Sequence, residues 1–284
     1  MIKKYYALTK PGIIYGNLVT TAGGFLLASR GHVRFGLFLA ILVGTSLVIA
    51  SACVFNNYID RGIDAKMART KKRAMVEGSI SGPAALTYGA VLGILGVAIL
   101  GRYTNLLTLG IGVLAFIVYV AVYGVGKRHS VHGTIIGSIA GAAPVVAGYT
   151  AVTNRFDGGA IILFAILVLW QMPHFYAIAM YRLDDYAAAG IPVLPVKTDM
   201  RTTKIQILAY TLAFVVATLL LTVFGYTGYT YLVVMVAVGL YWLRLGIQGL
   251  KAADDNKWAR KMFRFSLIVI LTLSVMLAVG SVLR

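Results

Sequence analysis

Acidic residues are scarce in this chain. Only 9 of its 284 residues are Asp or Glu, charged residues of both signs make up 12%, and Cys53 is the single cysteine. A soluble globular domain carries about 25% charged residues, so a water-surrounded fold is excluded. One thiol cannot form an internal disulfide, which removes a disulfide scaffold. No Cys-x-x-Cys-His run occurs, so haem is not attached through thioethers. The alternating ten-residue segments of a membrane β-barrel are missing as well.

Apolar residues, by contrast, make up 60% of the chain, and mean hydropathy is +0.85. The apolar runs are about 20 residues long, enough to cross a hydrocarbon core. The chain therefore reads as an all-α integral membrane protein, one polytopic domain over residues 1–284. Nine spans are expected, at about 11–29, 36–58, 84–101, 105–126, 133–153, 158–180, 205–224, 228–249 and 264–282. The N-terminal stretch MIKKYYALTKPGIIYGNLVTTAGGFLLAS has no clear cleavage site and reads as an uncleaved first span.

The chain holds 26 basic residues and a formal charge of +17, a balance that invites a nucleic-acid reading. The distribution argues otherwise. With the N-terminus in the cytoplasm, only Arg30, Arg34, Arg102, Arg155 and Arg284 fall outside, and the remaining 21 of the 26 collect on the cytoplasmic side. That is the positive-inside bias expected of a multi-pass protein of the inner (cytoplasmic) membrane, and no nucleic acid is needed to explain it. Asp and Glu contribute little to orientation, yet all of them except Asp157 lie on that same side, mostly in two long connections, 59–83 and 181–204. Long loops in compact proteins are usually functional. Chemistry is expected at the cytoplasmic membrane face.

Asn56, Asp60 and Asp64 are spaced i, i+4, i+8. On a helix they fall within an ~80° arc, each about 6 Å further along the axis. Asn57 sits one position round. Oxygen donors with no nearby Cys or His favour Mg²⁺, which typically binds through one or two carboxylates plus substrate phosphates. The competing reading is a solvated helix end whose carboxylates pair with Arg61 or Lys66. Downstream, Arg69-Thr70-Lys71-Lys72-Arg73 concentrates positive charge suited to phosphate oxygens, or to anionic lipid. Carboxylates and cations so close together favour a receptacle for a diphosphate.

Three further places stand out. Pro173 is expected to break the sixth span and free backbone carbonyls. Gln171 and His174 are polar groups inside that apolar run, and intramembrane ionisable residues are functional candidates; a hydrogen bond across helices explains His174 equally well. Lys127-Arg128-His129 closes the fourth span, either as a functional group or as a positive-inside anchor.

The pattern Asn56-x-x-x-Asp60-x-x-x-Asp64 followed by Arg69-Thr-x-x-Arg73 resembles the first aspartate motif of the UbiA-type intramembrane prenyltransferases. Lys10-Pro11-Gly12, Asn56-Asn57-Tyr58-Ile59-Asp60, Gln171-Met172-Pro173-His174-Phe175 and Gly190-Ile191-Pro192-Val193-Leu194-Pro195 resemble, within it, the branch that farnesylates protohaem. The resemblance implies a nine-helix bundle around a central cavity, with farnesyl diphosphate as donor and haem b as acceptor. It implies that Asp60 and Asp64, with Asn56 or Asn57, hold Mg²⁺ on the diphosphate. Arg69, Arg73, Lys127 and Arg128 would neutralise it further, and Arg182, Asp184 and Asp185 belong to the same expected site. His174 becomes a haem-site candidate. The family's second motif has two Asp four residues apart; here Ala189 stands four residues after Asp185, and Asp184-Asp185 is the substitute. Haem-delivery or haem-copper oxidase assembly proteins are the implied partners, besides the bilayer. A prenyltransferase for another aromatic acceptor shares the aspartate face but not the His174 and proline blocks. A transporter needs polar sites at the midplane and often repeated halves, whereas these acids cluster at one face.

Overall fold

The computed structural model describes residues 1–283; Arg284, assigned above to the outer side, lies outside the described residues. Among those described, nine helices are long and apolar enough to cross a membrane: α1 (Pro11–Ser29), α2 (Phe35–Asp64), α3 (Gly82–Tyr103), α4 (Leu106–His129), α5 (Gly133–Thr153), α6 (Gly158–Tyr181), α7 (Met200–Val223), α8 (Tyr229–Gly249) and α9 (Asp255–Val282). Their outward faces carry exposed Ile94, Leu114, Ile117, Val233 and Val275, as lipid contact requires. The protein is a multi-pass membrane protein.

Helix ends differ from the hydropathy reading where a helix is helical but not apolar. α2 runs unbroken through the aspartates to Asp64, so the first long connection begins at Ala65 rather than at residue 59. α7 begins at Met200 and α9 at Asp255, because Asp199 and Asp254 cap their first turns by accepting from Thr202 N and Lys257 N. The Thr202 hydroxyl and then its amide hold the exposed Asp199 carboxyl below its ordinary pKa, and the Lys257 amide does the same for Asp254. The expected break at Pro173 does not occur: α6 is continuous from Gly158 to Tyr181. A spanning helix tolerates proline where neighbouring side chains serve the backbone. Pro173 frees the Leu169 carbonyl, and beside it Gln171 ties the helix to its neighbour, donating from Nε2 to the Leu167 carbonyl at 3.0 Å and across to the Ser138 carbonyl of α5 at 3.1 Å.

Lipid tails are as apolar as leucine, so helices associate through close packing of small residues. α2 and α3 pair along Gly89, Gly93 and Gly96, which face Phe55, Ser51 and Val48, and Ser51 donates to the Gly89 carbonyl at 2.7 Å. α1 and α5 cross with backbone against backbone. A Cβ on Gly24 would press on the Val145 carbonyl, and one on Gly148 would press on the Thr21 carbonyl and lie 3.0 Å from Phe25 N. α9 packs on both α1 and α6, and α7 and α8 complete that side. Helices α1, α2, α4, α5, α6 and α9 thereby surround a cavity of about 660 Å³.

α4 is not regular. Val118–Val122 form a π turn, with Tyr123 N bonded to the Val118 carbonyl five residues back. Such single wide turns recur at functional sites. The two long connections fold over the basic end of the bundle and touch there, Ala68 N donating to Asp185 Oδ1 at 3.0 Å.

Candidate active site

The nine acids sort themselves by environment. Asp157, Asp199 and Asp254 cap helices; Asp255 pairs with Lys204 at 2.5 Å; Asp184 and Glu77 are exposed. Asp185 is occupied as a strap, taking the Ala68 amide and lying 3.8 Å from Arg182. Only Asp60 and Asp64 reach the cavity wall, and both are buried. The helical continuation of α2 puts them there, in line with Asn56.

Cations meet each of these groups. Lys127 of α4 forms an ion pair with Asp60, and Arg128 Nη2 lies 3.3 Å from the other Asp60 oxygen. Arg73 Nη1 donates to Asp64 Oδ2 at 2.6 Å and to Asn57 Oδ1 at 3.3 Å. Lys10 Nζ donates to Asn56 Oδ1 at 2.8 Å, and the Asn56 amide nitrogen is buried without a partner. Burial pulls the Lys10 ammonium down to about 8. Lys10 holds a left-handed backbone, φ 52°, directly before Pro11, which turns it back over the end of α1 toward α2.

The expected residues therefore divide. Asn56, Asp60, Asp64, Arg69, Arg73, Lys127, Arg182 and His174 all line one cavity. Asn57 does not: its Nδ2 donates to the Leu8 carbonyl at 2.7 Å, so it ties the N-terminal helix Ile2–Leu8 to α2. Arg128 stands behind Asp60, also donating to the Ile59 carbonyl at 2.8 Å. Asp184 and Asp185 lie off the wall, the first in solvent and the second spent on the strap. The substitute second motif is thus not assembled as a metal position.

Sequence reasoning assigned no site role to Lys10, Tyr119, Tyr123 or Tyr186, all on the wall. Tyr119 and Tyr123 stack at 5.5 Å, and Lys127 Nζ lies 4.9 Å from the Tyr123 ring centre. The spacing Tyr119, Tyr123, Lys127 was a usable signal, hidden among 17 tyrosines.

Five cations line the cavity, Lys10, Arg69, Arg73, Lys127 and Arg182, against the two carboxylates. The surplus is positive at one end of an otherwise apolar chamber. From Asp60 the wall continues along α2 to Thr45, an axial distance of about 22 Å at 1.5 Å per residue. Such a chamber takes an anionic head and a long apolar tail. For a metal, the wall offers two carboxylates and the Asn56 amide oxygen. Among the described residues no three His, Cys, Asp or Glu cluster as a complete cage. That donor set fits a hard cation whose remaining ligands are water and phosphate oxygens.

Residues 17–268 match the profile of the UbiA prenyltransferase family. The chain is 56% identical over 280 residues to the protoheme IX farnesyltransferase of Serratia proteamaculans, covering 98% of this chain and 95% of that protein. It shows the same identity and coverage to the protein of that name from Klebsiella pneumoniae. In fold it is similar to a digeranylgeranylglyceryl phosphate synthase (TM-score 0.81, 19% identity, 100% and 99% of the two chains). It is also similar to a UbiA homologue from Archaeoglobus fulgidus solved with GPP and Mg²⁺ (TM-score 0.72, 14% identity, 97% and 99%).

Proposed function

The chain belongs to the UbiA prenyltransferase family, and on that premise we propose that it transfers the farnesyl group of farnesyl diphosphate to a vinyl group of haem b. Water adds in the same reaction, giving haem O and diphosphate. The relatives that share 56% of its residues over nearly the whole chain carry the name of that activity. The observation that carries the reading is the cavity itself, with five cations and two carboxylates at one end of an apolar chamber.

Arg73 and Lys127 bind the diphosphate, exchanging their bonds to Asp64 and Asp60 for phosphate oxygens, with Lys10, Arg69 and Arg182 around them. Asp60, Asp64 and Asn56 would hold Mg²⁺, which would supply charge stabilisation to the departing diphosphate. The apolar walls orient the farnesyl chain and exclude water, so that C1 of the allylic cation meets the vinyl carbon before solvent does. The stacked faces of Tyr119 and Tyr123 lie beside the cationic head, and an aromatic face attracts positive charge. In balance, the C1–O bond breaks and C1 bonds to the vinyl carbon. Water supplies hydroxide to the carbon beside the porphyrin, and its proton leaves with the diphosphate. No protein nucleophile is required.

Purified protein incubated with haem b, farnesyl diphosphate and Mg²⁺ is expected to yield an extracted haem heavier by one farnesyl group and one hydroxyl, and none when Mg²⁺ is chelated. An unchanged haem mass with folded protein that binds both haem b and farnesyl diphosphate would overturn the reading. A different acceptor in the same chamber would show as diphosphate release with some other aromatic compound.

The charge asymmetry supports an active site on the cytoplasmic side of the inner membrane. Cys53, buried on the cavity wall, is replaced by serine for this experiment, and Glu77 and Asn154 are both exposed. A cysteine at position 77 is expected to react only after the membrane is permeabilised, and one at 154 in intact spheroplasts. Labelling of both from the same side would overturn the orientation.

A further inference from the structure

His174 is the one histidine on the cavity wall among the described residues. Its Nδ1 lies 2.7 Å from Ser266 Oγ of α9. That hydroxyl lies 2.6 Å from the Phe263 carbonyl, a group that can only accept. A serine has one hydroxyl proton, and here it is committed to the carbonyl, so the oxygen presents lone pairs to the ring. Nδ1 therefore carries the imidazole proton, and the lone pair is on Nε2. Nε2 has no hydrogen-bond partner among the described residues, and it is not sealed away from the cavity.

The ring is held as well as polarised. Trp170, one turn earlier on α6, stacks on it at 4.7 Å and 27°, and Phe263 and Phe175 pack at 5.0 and 5.1 Å. The Trp170 indole N–H donates to the Ser266 carbonyl at 2.9 Å. Two α6 residues thus dock on one serine of α9. A histidine serving only to join helices could be satisfied by that one bond. It would not need a fixed ring with its basic nitrogen left open to a chamber.

We propose that Nε2 of His174 is the axial ligand of the iron in the haem substrate, and that Ser266 is the positioning residue that presents it. The proposal rests on haem b being the acceptor. Metal-bound histidines characteristically donate their other ring N–H to an outer partner, which fixes the tautomer, and imidazole is a common haem ligand. Further along α6, Ile178, Tyr181 and Arg182 continue on the same wall. They reach ~12 Å beyond His174 at 1.5 Å per residue. A flat apolar macrocycle anchored at His174 thereby lies along the wall that leads to the basic end, where the vinyl carbon meets the donor.

The test uses full-length protein in detergent, titrated with haem b and followed by the Soret band and by resonance Raman of the ferrous form. Binding of inorganic diphosphate with Mg²⁺ is measured separately. Wild type is expected to show an iron–histidine stretch. His174→Ala should lose it, bind haem about 10–100-fold more weakly and regain ligation with added imidazole, with diphosphate binding intact as proof of folding. Ser266→Ala should keep the ligand but shift the stretch and weaken haem binding about 10-fold, and Ser266→Thr should restore both. Haem binding by wild type with a His174→Ala spectrum identical to it would overturn the ligand assignment. A Ser266→Ala spectrum identical to wild type would overturn the positioning role. Wild type that binds diphosphate but not haem would instead sink the acceptor assignment, and this proposal with it.

Discussion

Asp64→Asn is expected to lower kcat by about 10²–10³-fold, the scale of removing one group that stabilises transition-state charge, while the protein stays inserted and folded. The substitution keeps the size of the side chain and an acceptor for Arg73, now 2.6 Å from Asp64 Oδ2, and removes the charge. The Arg73 side chain is 28% exposed, so water can take up what it loses, and a partly exposed ion pair is worth about 0–1 kcal/mol. Asp60 is a poorer choice for the experiment. Its partner Lys127 has a side chain only 11% exposed, and stranding a buried charge costs about 3–5 kcal/mol, which would mix misfolding with lost catalysis. Asp184→Asn, exposed and off the wall, is the control and should be silent. The measurement is turnover across a Mg²⁺ titration together with a thermal midpoint. Near-wild-type kcat for Asp64→Asn at saturating Mg²⁺ would remove it from the metal site.

Gly148→Ala is expected to damage the fold rather than the chemistry. The added methyl would press on the Thr21 carbonyl, and backbone cannot rotate away as a side chain can. Overpacking a tight core typically costs about 1–3 kcal/mol. Here the strain is placed on the α1–α5 crossing, which carries Lys10 at one end and the cavity wall along its length. A thermal midpoint several degrees below wild type and poor recovery in detergent should follow. Gly36→Ala, with nothing within 4 Å of the added carbon, is the matched control and should be neutral. An unchanged midpoint for Gly148→Ala would mean the two helices pack less closely than described.

The spans were legible because hydropathy tracks lipid exposure, and the nine apolar runs correspond to nine spanning helices among the described residues. Their ends were not, because a capped polar turn such as Met200–Lys204 is helical without being apolar. The i, i+4, i+8 spacing located Asn56, Asp60 and Asp64 correctly on one wall, since it needs only the pitch of a helix. Asn57 shows the limit of that geometry. Its place on the helix is near Asp64, and Arg73 does bridge the two, but the rim of the cavity falls between them. Lys10 was invisible as a site residue because 46 residues separate it from Asn56 in sequence. Pro173 misled for a different reason: the rule that proline breaks helices assumes an isolated segment, and here packing inside the bundle, with Gln171 tied across to α5, keeps α6 continuous.

The wide turn at Val118–Val122 has a consequence for the far end of α4. One extra residue in a turn leaves each later residue where its predecessor would stand in a regular helix, about 100° away. Without it, the place now held by Lys127 opposite Asp60 would fall to Gly126, and an ammonium would be replaced by bare backbone. The turn is a frame shift written in space rather than in codons. Lys127 keeps its place only while the turn stays wide, or if one of its five residues is lost together with that width; the two changes must go together.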